Sequence, residues 1–139
     1  MARVFVDTSA VFALLDRSDL CHRAARDVLG DLRRRRIGPL LTNFVVAESH
    51  ALLLSRLGAD IARRWLLDNV WPIERVSEDD ESRARAILTQ YKDKTFSYTD
   101  ATSFATMERL GLKTAFAFDP HFRQYGFHVV GLATVEGPG

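Results

Sequence analysis

Short apolar segments that favour β-structure alternate along this chain with longer segments whose apolar residues recur at helical spacing. The first apolar segment, residues 4–6, ends at Asp7 and leads directly into a helical pattern over residues 10–15. Strands that alternate with helices are joined by crossovers, which make neighbouring strands parallel. We therefore predict an α/β fold in which a central, mostly parallel sheet carries helices on both faces.

The remaining elements follow from the same criteria. Further strands are predicted at residues 40–42, 72–76, 114–118 and 128–130, with residues 72–76 at the sheet edge. Helices are predicted at residues 19–38, 44–57, 61–70, 84–91 and 98–110, with a helical turn after Pro120. Asn43 is the expected N-cap of the helix at residues 44–57, which Gly58 ends.

Size and composition indicate one globular domain. With 139 residues, 47% of them hydrophobic, the chain can bury roughly two-thirds of the surface that it exposes when unfolded. Residues 1–134 are predicted as a single domain and residues 135–139 as a frayed C-terminal tail. The lone Cys21 excludes an internal disulfide and a multi-cysteine zinc site.

Hydropathy and charge restrict the location and the partners. No apolar segment approaches the ~18 residues of a membrane span, and Asp7 interrupts the N-terminus too early for a signal peptide. We expect a cytoplasmic protein with no membrane contact. The net charge of +1 means that nucleic acid would be attracted by local patches, such as the four consecutive arginines at residues 33–36.

Three aspartates occupy positions that suggest a site. Asp7 and Asp119 each follow a predicted strand, so both are expected at the carboxyl edge of the sheet, where open α/β folds bind ligands. Each could equally be an N-cap, with Pro120 as the first helical residue after Asp119. Asp100 also has two interpretations, because Ser97 and Asp100 have the spacing of a capping box that opens the helix ending near Leu110.

Glu48 is predicted to lie on a helix face that is otherwise apolar, beside Phe44, Ala51 and Leu52. A buried carboxylate without a partner costs several kcal/mol, and no Lys or Arg lies within one helical turn of Glu48. A divalent cation shared with other carboxylates would satisfy it, because Mg²⁺ and Mn²⁺ prefer oxygen ligands.

Together these motifs resemble the PIN-domain ribonucleases, and within them the VapC-type toxins of bacterial toxin–antitoxin pairs. The resemblance extends over about residues 3–130 and implies a three-layer fold with an acidic pocket that binds Mg²⁺ or Mn²⁺ and hydrolyses RNA phosphodiesters. Carried over by position, Asp7 and Asp100 are the direct metal ligands, and Glu48 and Asp119 complete the pocket.

The same resemblance implies further contacts. Thr8 or Ser9 matches a hydroxyl that orients the first aspartate or contacts the substrate phosphate. A cognate antitoxin is expected to block the pocket, and a homodimer is expected to assemble through helices of the first half of the chain. The resemblance therefore predicts the toxin of a type II toxin–antitoxin system.

Two other functions stay open. One is a housekeeping PIN nuclease in RNA processing, and the other is a non-catalytic α/β module that binds RNA or protein and uses the acids as caps and a structural ion site. The four histidines show no zinc-ligand spacing, so surface or packing roles are favoured for them. Only His121 has a possible functional role, because it follows Asp119 at the pocket edge.

Overall fold

Strands and helices follow one another in the alternating order that the sequence predicts. The computed structural model describes residues 2–132. Within them the strands are β1 (Arg3–Val6), β2 (Gly38–Thr42), β3 (Ile73–Glu74), β4 (Thr114–Ala117) and β5 (His128–Gly131). The helices of these residues are α1 (Thr8–Leu15), α2 (His22–Arg34), α3 (Asn43–Leu57), α4 (Ala59–Asp68), α5 (Glu78–Gln90), α6 (Tyr98–Leu110) and α7 (His121–Tyr125).

The five strands form one parallel sheet in the order β3-β2-β1-β4-β5. Phe5 of β1 lies opposite Leu40 of β2 on one side and Ala115 of β4 on the other. The chain leaves β1 towards β2 and later returns to β4, so right-handed crossovers place helices on both faces of the sheet. The predicted three-layer α/β fold is confirmed.

The central strand β1 is apolar because helices cover both of its faces. Val4, Phe5 and Val6 are all buried, as expected for a strand in the middle of a parallel sheet. The strand order reverses at β1, and in open α/β sheets the crevice at such a reversal point lies at the carboxyl ends of the strands. Asp7, the residue after β1, lies at this edge.

The starts of α3 and α5 differ from the prediction in their capping residues. The N-cap of α3 is Thr42, whose Oγ accepts a 3.1 Å hydrogen bond from the backbone N of Val45. Asn43 is therefore not the cap, and its Oδ1 accepts instead from the N of Val76, 2.8 Å away, which connects α3 to the segment after β3. Helix α5 starts earlier than predicted because Ser77 and Asp80 form a capping box that the sequence analysis overlooked.

Two helix ends are also shorter than predicted. Helix α2 ends at Arg34, and Arg36 adopts a φ of 56°, the left-handed conformation that commonly closes a helix. Helix α4 ends at Asp68 because the side chain of Asn69 exchanges two hydrogen bonds with the backbone of Trp71. Val70, predicted on the apolar face of α4, lies beyond the helix and is 89% exposed.

The described part of the chain contains no helix that is long and apolar enough to cross a membrane. The tail predicted at residues 135–139 lies outside the described residues.

Candidate active site

Asp7 is held in place by the residues that follow it. It is the N-cap of α1, and its Oδ2 accepts hydrogen bonds from the backbone N and the Oγ of Ser9, at 3.2 and 2.7 Å. The same Ser9 Oγ accepts a 2.9 Å hydrogen bond from the backbone N of Phe118, directly after β4. Strand β4 therefore ends at Ala117, one residue earlier than predicted, and the Asp7 carboxylate is connected to the ends of both β1 and β4.

The pKa of Asp7 distinguishes a functional carboxylate from one that only caps a helix. The pKa of Asp7 is raised to about 7, chiefly by burial and also by the negative charges of Asp100 and Asp119, against the lowering effect of the Ser9 hydrogen bonds. Asp7 is buried, with only 4% of its surface exposed. Capping alone would lower this pKa, because a helix N-terminus favours the charged carboxylate. Asp7 therefore caps α1 and is also one of three neighbouring carboxylates, with Asp100 and Asp119.

Asp100 lies in the first turn of α6 and forms the predicted capping box. Its backbone N donates to Ser97 Oγ at 3.0 Å, and its Oδ2 accepts from the backbone N of Ser97 at 2.9 Å. Helix α6 then runs to Leu110 and closes at Gly111, whose φ of 69° suits glycine. The capping box fixes the rotamer of Asp100, so this carboxylate also has a structural role.

His121 connects two of the predicted acids. Its Nδ1 lies 2.8 Å from Asp100 Oδ2 and 3.0 Å from Asp119 Oδ1. Asp119 Oδ1 also accepts a 2.8 Å hydrogen bond from the backbone N of His121, which starts α7 one residue after Pro120. This contact differs from the packing or surface role that the sequence favours for the histidines. The only sequence signal for the position of His121 is the two-residue spacing from Asp119 at the sheet edge.

The structure contradicts the predicted burial of Glu48. The buried residues of α3 are Val45, Ser49 and Leu53, a single stripe, and Glu48 lies beside this stripe and is exposed. Ala51 is also exposed, so the face around Glu48 is not the apolar surface that the sequence suggested. Glu48 therefore has no burial penalty that a cation must relieve.

Contacts of its neighbour nevertheless bring Glu48 towards the site. Ser49 Oγ donates to Thr8 Oγ across 3.5 Å, and Thr8 directly follows Asp7. Thr8 is itself buried, so its hydroxyl faces α3. The second turn of α3 thus packs against the start of α1, and Glu48 projects into solvent next to that contact.

Oxygen donors dominate this edge of the sheet, as a hard divalent cation requires. Asp100 and Asp119 lie close enough to Asp7 to raise its pKa, so the three carboxylates share one electrostatic environment. No three His, Cys, Asp or Glu side chains among residues 2–132 converge into a finished coordination shell. The donor set fits Mg²⁺ or Mn²⁺ by its chemistry, and side chains would have to move to close around the ion.

A large cavity of the described residues lies elsewhere. It is a groove of about 1070 Å³ between the C-terminal end of α1, α2 and α4, and none of the four predicted acids lines it. Its walls combine Trp65 and Trp71 with Arg17, Arg26 and Arg64. The carboxylate site and this groove are therefore separate surfaces.

Comparison with known proteins agrees with this arrangement. The family model of the PIN domain matches residues 4–128. The 23S rRNA-specific endonuclease VapC20 of Mycobacterium tuberculosis is 34% identical over 127 residues, which cover 89% of this chain and 95% of the relative. The crystal structure of the M. tuberculosis VapC20 protein, described as a sarcin-ricin loop cleaving toxin, superimposes with a TM-score of 0.81 at 32% identity, again over 89% and 95% of the two chains. The chain therefore belongs to the PIN-domain family and is of the VapC type.

Proposed function

We propose that this protein is a metal-dependent endoribonuclease that hydrolyses RNA phosphodiester bonds and acts as the toxin of a type II toxin–antitoxin system. The observation that carries the proposal is the buried Asp7 carboxylate, immobilised by Ser9 and grouped with Asp100 and Asp119. Capping alone does not require two buried carboxylates, Asp7 and Asp100, near each other, since one N-cap requires a single side-chain oxygen.

Asp7 and Asp100 are the proposed direct ligands of Mg²⁺ or Mn²⁺, with Asp119 and Glu48 completing the pocket. When bound, such an ion activates water and stabilises the negative charge that develops on a phosphate. Ser9 keeps Asp7 oriented towards this pocket through its 2.7 Å hydrogen bond. Thr8 and Ser9 are the proposed hydroxyls nearest to the substrate, with Ser9 acting chiefly through Asp7.

Ribosomal RNA is the first substrate to test. The relative VapC20 is a 23S rRNA-specific endonuclease, and its crystal structure is that of a toxin that cleaves the sarcin-ricin loop. We extend this substrate class, structured rRNA, to the present chain as part of the proposal. The surface arginines at residues 33–36 would add affinity for the phosphate backbone.

A cognate antitoxin and a homodimer in the cytoplasm are also part of the proposal. Contact with another protein is supported by apolar side chains at the end of α4, where Leu66 and Leu67 are exposed, Leu67 by 73%. Exposed leucines in such proximity are typical of surfaces that another protein covers. Light scattering of the purified protein alone and with the product of an adjacent short reading frame tests both contacts. A monomer that does not bind that product would contradict both the homodimer and the antitoxin contact.

The decisive experiment measures cleavage of purified ribosomes and of protein-free rRNA in Mg²⁺, in Mn²⁺ and in EDTA. The wild-type protein is expected to cut at a defined position only with divalent metal, and Asp7→Asn and Asp100→Asn are expected to lose activity by orders of magnitude. Asp79→Asn, an exposed aspartate in α5, is the matched control and should cleave normally. Full activity in EDTA, or in either site variant, would contradict the metal-dependent mechanism.

Expression in cells separates the toxin from the alternatives. Wild-type protein without its antitoxin is expected to arrest growth, whereas Asp7→Asn is expected to be harmless. Active, soluble wild-type protein that leaves growth unchanged would favour the housekeeping nuclease. Protein that binds RNA without cutting it would favour the binding module.

A further inference from the structure

We propose that His121 is a positioning residue that holds the Asp100 and Asp119 carboxylates on either side of its Nδ1 and so increases the affinity of the pocket for divalent metal. The inference rests on the proposed function and deepens it. It assigns a role to a side chain that the resemblance to the family did not include.

The geometry places a single nitrogen between two acids from separate elements. Nδ1 lies 2.8 Å from Oδ2 of Asp100, on α6, and 3.0 Å from Oδ1 of Asp119, in the segment between β4 and α7. Ionised carboxylates only accept hydrogen bonds, so Nδ1 carries the proton and donates it to Oδ2 of Asp100, while Oδ1 of Asp119 lies within ion-pair distance of the same nitrogen. This assignment of the proton holds for neutral and for charged imidazole alike.

The imidazole ring is itself fixed from its other side. Nε2 lies 3.3 Å from Thr95 Oγ, with which it can share a hydrogen bond in either protonation state. The ring of Phe96 meets the imidazole edge-on, with the centroids 5.6 Å apart and the planes at 79°. Thr95 and Phe96 thus restrict the rotation of His121, and an immobile donor can restrict the two carboxylates in turn.

Fixing the carboxylates matters because the pocket is not a finished coordination shell. Without the imidazole, a metal ion must bring together two carboxylates that repel each other. Backbone hydrogen bonds already hold Oδ2 of Asp100 and Oδ1 of Asp119, and the contacts of Nδ1 with both oxygens fix the distance between the two carboxylates before the ion arrives. Residues that hold metal ligands in this way typically change metal affinity or activity 10- to 100-fold when they are removed.

The test measures Mn²⁺ binding to the metal-free protein by calorimetry and by electron paramagnetic resonance, without substrate. His121→Ala is expected to weaken Mn²⁺ binding about 10- to 100-fold. His121→Asn keeps an N–H donor near the position of Nδ1 and is expected to recover a large part of that loss. Thr95→Val leaves His121 in place, lies at an exposed position, and is expected to give a smaller loss in the same direction.

His128→Ala is the matched control, because His128 is exposed at the start of β5. In cleavage assays the Mn²⁺ concentration for half-maximal rate should rise in His121→Ala, while the rate at saturating Mn²⁺ falls much less. A role in packing alone would lower the melting temperature and leave Mn²⁺ affinity unchanged.

Unchanged or tighter Mn²⁺ binding by folded His121→Ala would overturn the inference, while the proposed function would stand on wild-type binding and cleavage. If His121→Ala does not fold, Thr95→Val decides, and wild-type Mn²⁺ affinity in that variant would overturn the inference. A wild-type protein that binds no Mn²⁺ and cuts no RNA would overturn the proposed function itself, and the inference with it.

Discussion

The Ser9 hydroxyl donates a 2.7 Å hydrogen bond to Oδ2 of Asp7 while it accepts a 2.9 Å hydrogen bond from the backbone N of Phe118. One hydroxyl therefore satisfies a buried carboxylate and a strand-end amide, and it couples the position of the Asp7 side chain to β4. Loss of this group affects the fold and the site at the same time.

Ser9→Ala is expected to destabilise the protein by about 1–3 kcal/mol, because it leaves the Phe118 amide and part of the Asp7 carboxylate without a partner. RNA cleavage should fall at least tenfold as Asp7 loses its orientation. Urea unfolding and cleavage rates check both effects. Ser18→Ala is the control, since Ser18 makes the same 2.7 Å hydrogen bond to Asp16 at an exposed position. Equal effects of the two substitutions would contradict a special role for Ser9.

The stability of the metal-free protein should depend on pH through Asp7. Burial raises the pKa of Asp7 to about 7 in the folded state, from 3.8 in the absence of the fold. The folded state then binds the Asp7 proton more tightly than the unfolded state does, so this contribution to stability is complete below pH 3.8 and is lost as the pH rises towards 7. The loss is about 4 kcal/mol by order of magnitude.

Asp7→Asn isolates this effect, because asparagine retains the capping function without the charge. In EDTA the variant is expected to unfold at or above the urea concentration of the wild type at pH 8, and the difference should shrink at pH 5. Mg²⁺ should stabilise the wild type and have little effect on the variant. If Asp7→Asn is much less stable at pH 8 and Mg²⁺ stabilises both proteins equally, Asp7 is a cap and no metal ligand.

Glu48→Gln should affect cleavage without affecting stability. Glu48 is exposed, so its substitution is expected to change the free energy of unfolding by less than about 0.5 kcal/mol. If Glu48 completes the pocket, the cleavage rate should fall at least tenfold. Glu78→Gln, another exposed glutamate at a helix, is the control. Normal cleavage by Glu48→Gln would remove this residue from the site.

Arg109→Ala should show the opposite behaviour. Burial alone would raise the pKa of Asp80, but hydrogen bonds from Arg109 and Ser77 outweigh it and lower the pKa. Arg109 contacts both oxygens of this buried carboxylate at 2.9 Å and connects α6 to α5. Its removal is expected to cost about 3 kcal/mol of stability, since Asp80 loses its counter-charge. Cleavage per folded molecule should stay close to wild type, and a specific loss of activity would contradict a purely structural role.

The sequence by itself determined the features that depend on residues within one turn or one strand. The alternation of strands and helices, the Ser97–Asp100 capping box and the placement of Asp7 directly after a strand were all predicted and are all present, while Asp119 lies two residues beyond the end of β4. Local periodicity and capping chemistry are sufficient for these features, because the interacting atoms are only a few residues apart.

Tertiary structure alone decided how the site is assembled. The contacts of His121 with Asp100 and of Ser9 with Phe118 join residues 21 and 109 positions apart. The first follows from the packing of α7 against α6, and the second from the placement of β1 beside β4. The exposure of Glu48 follows from which stripe of α3 packs onto the fold, and a helix that is apolar on most sides does not determine that stripe by its sequence. Pairing and packing of distant segments have no signature in local spacing, because their energies arise only when the chain brings the segments into contact.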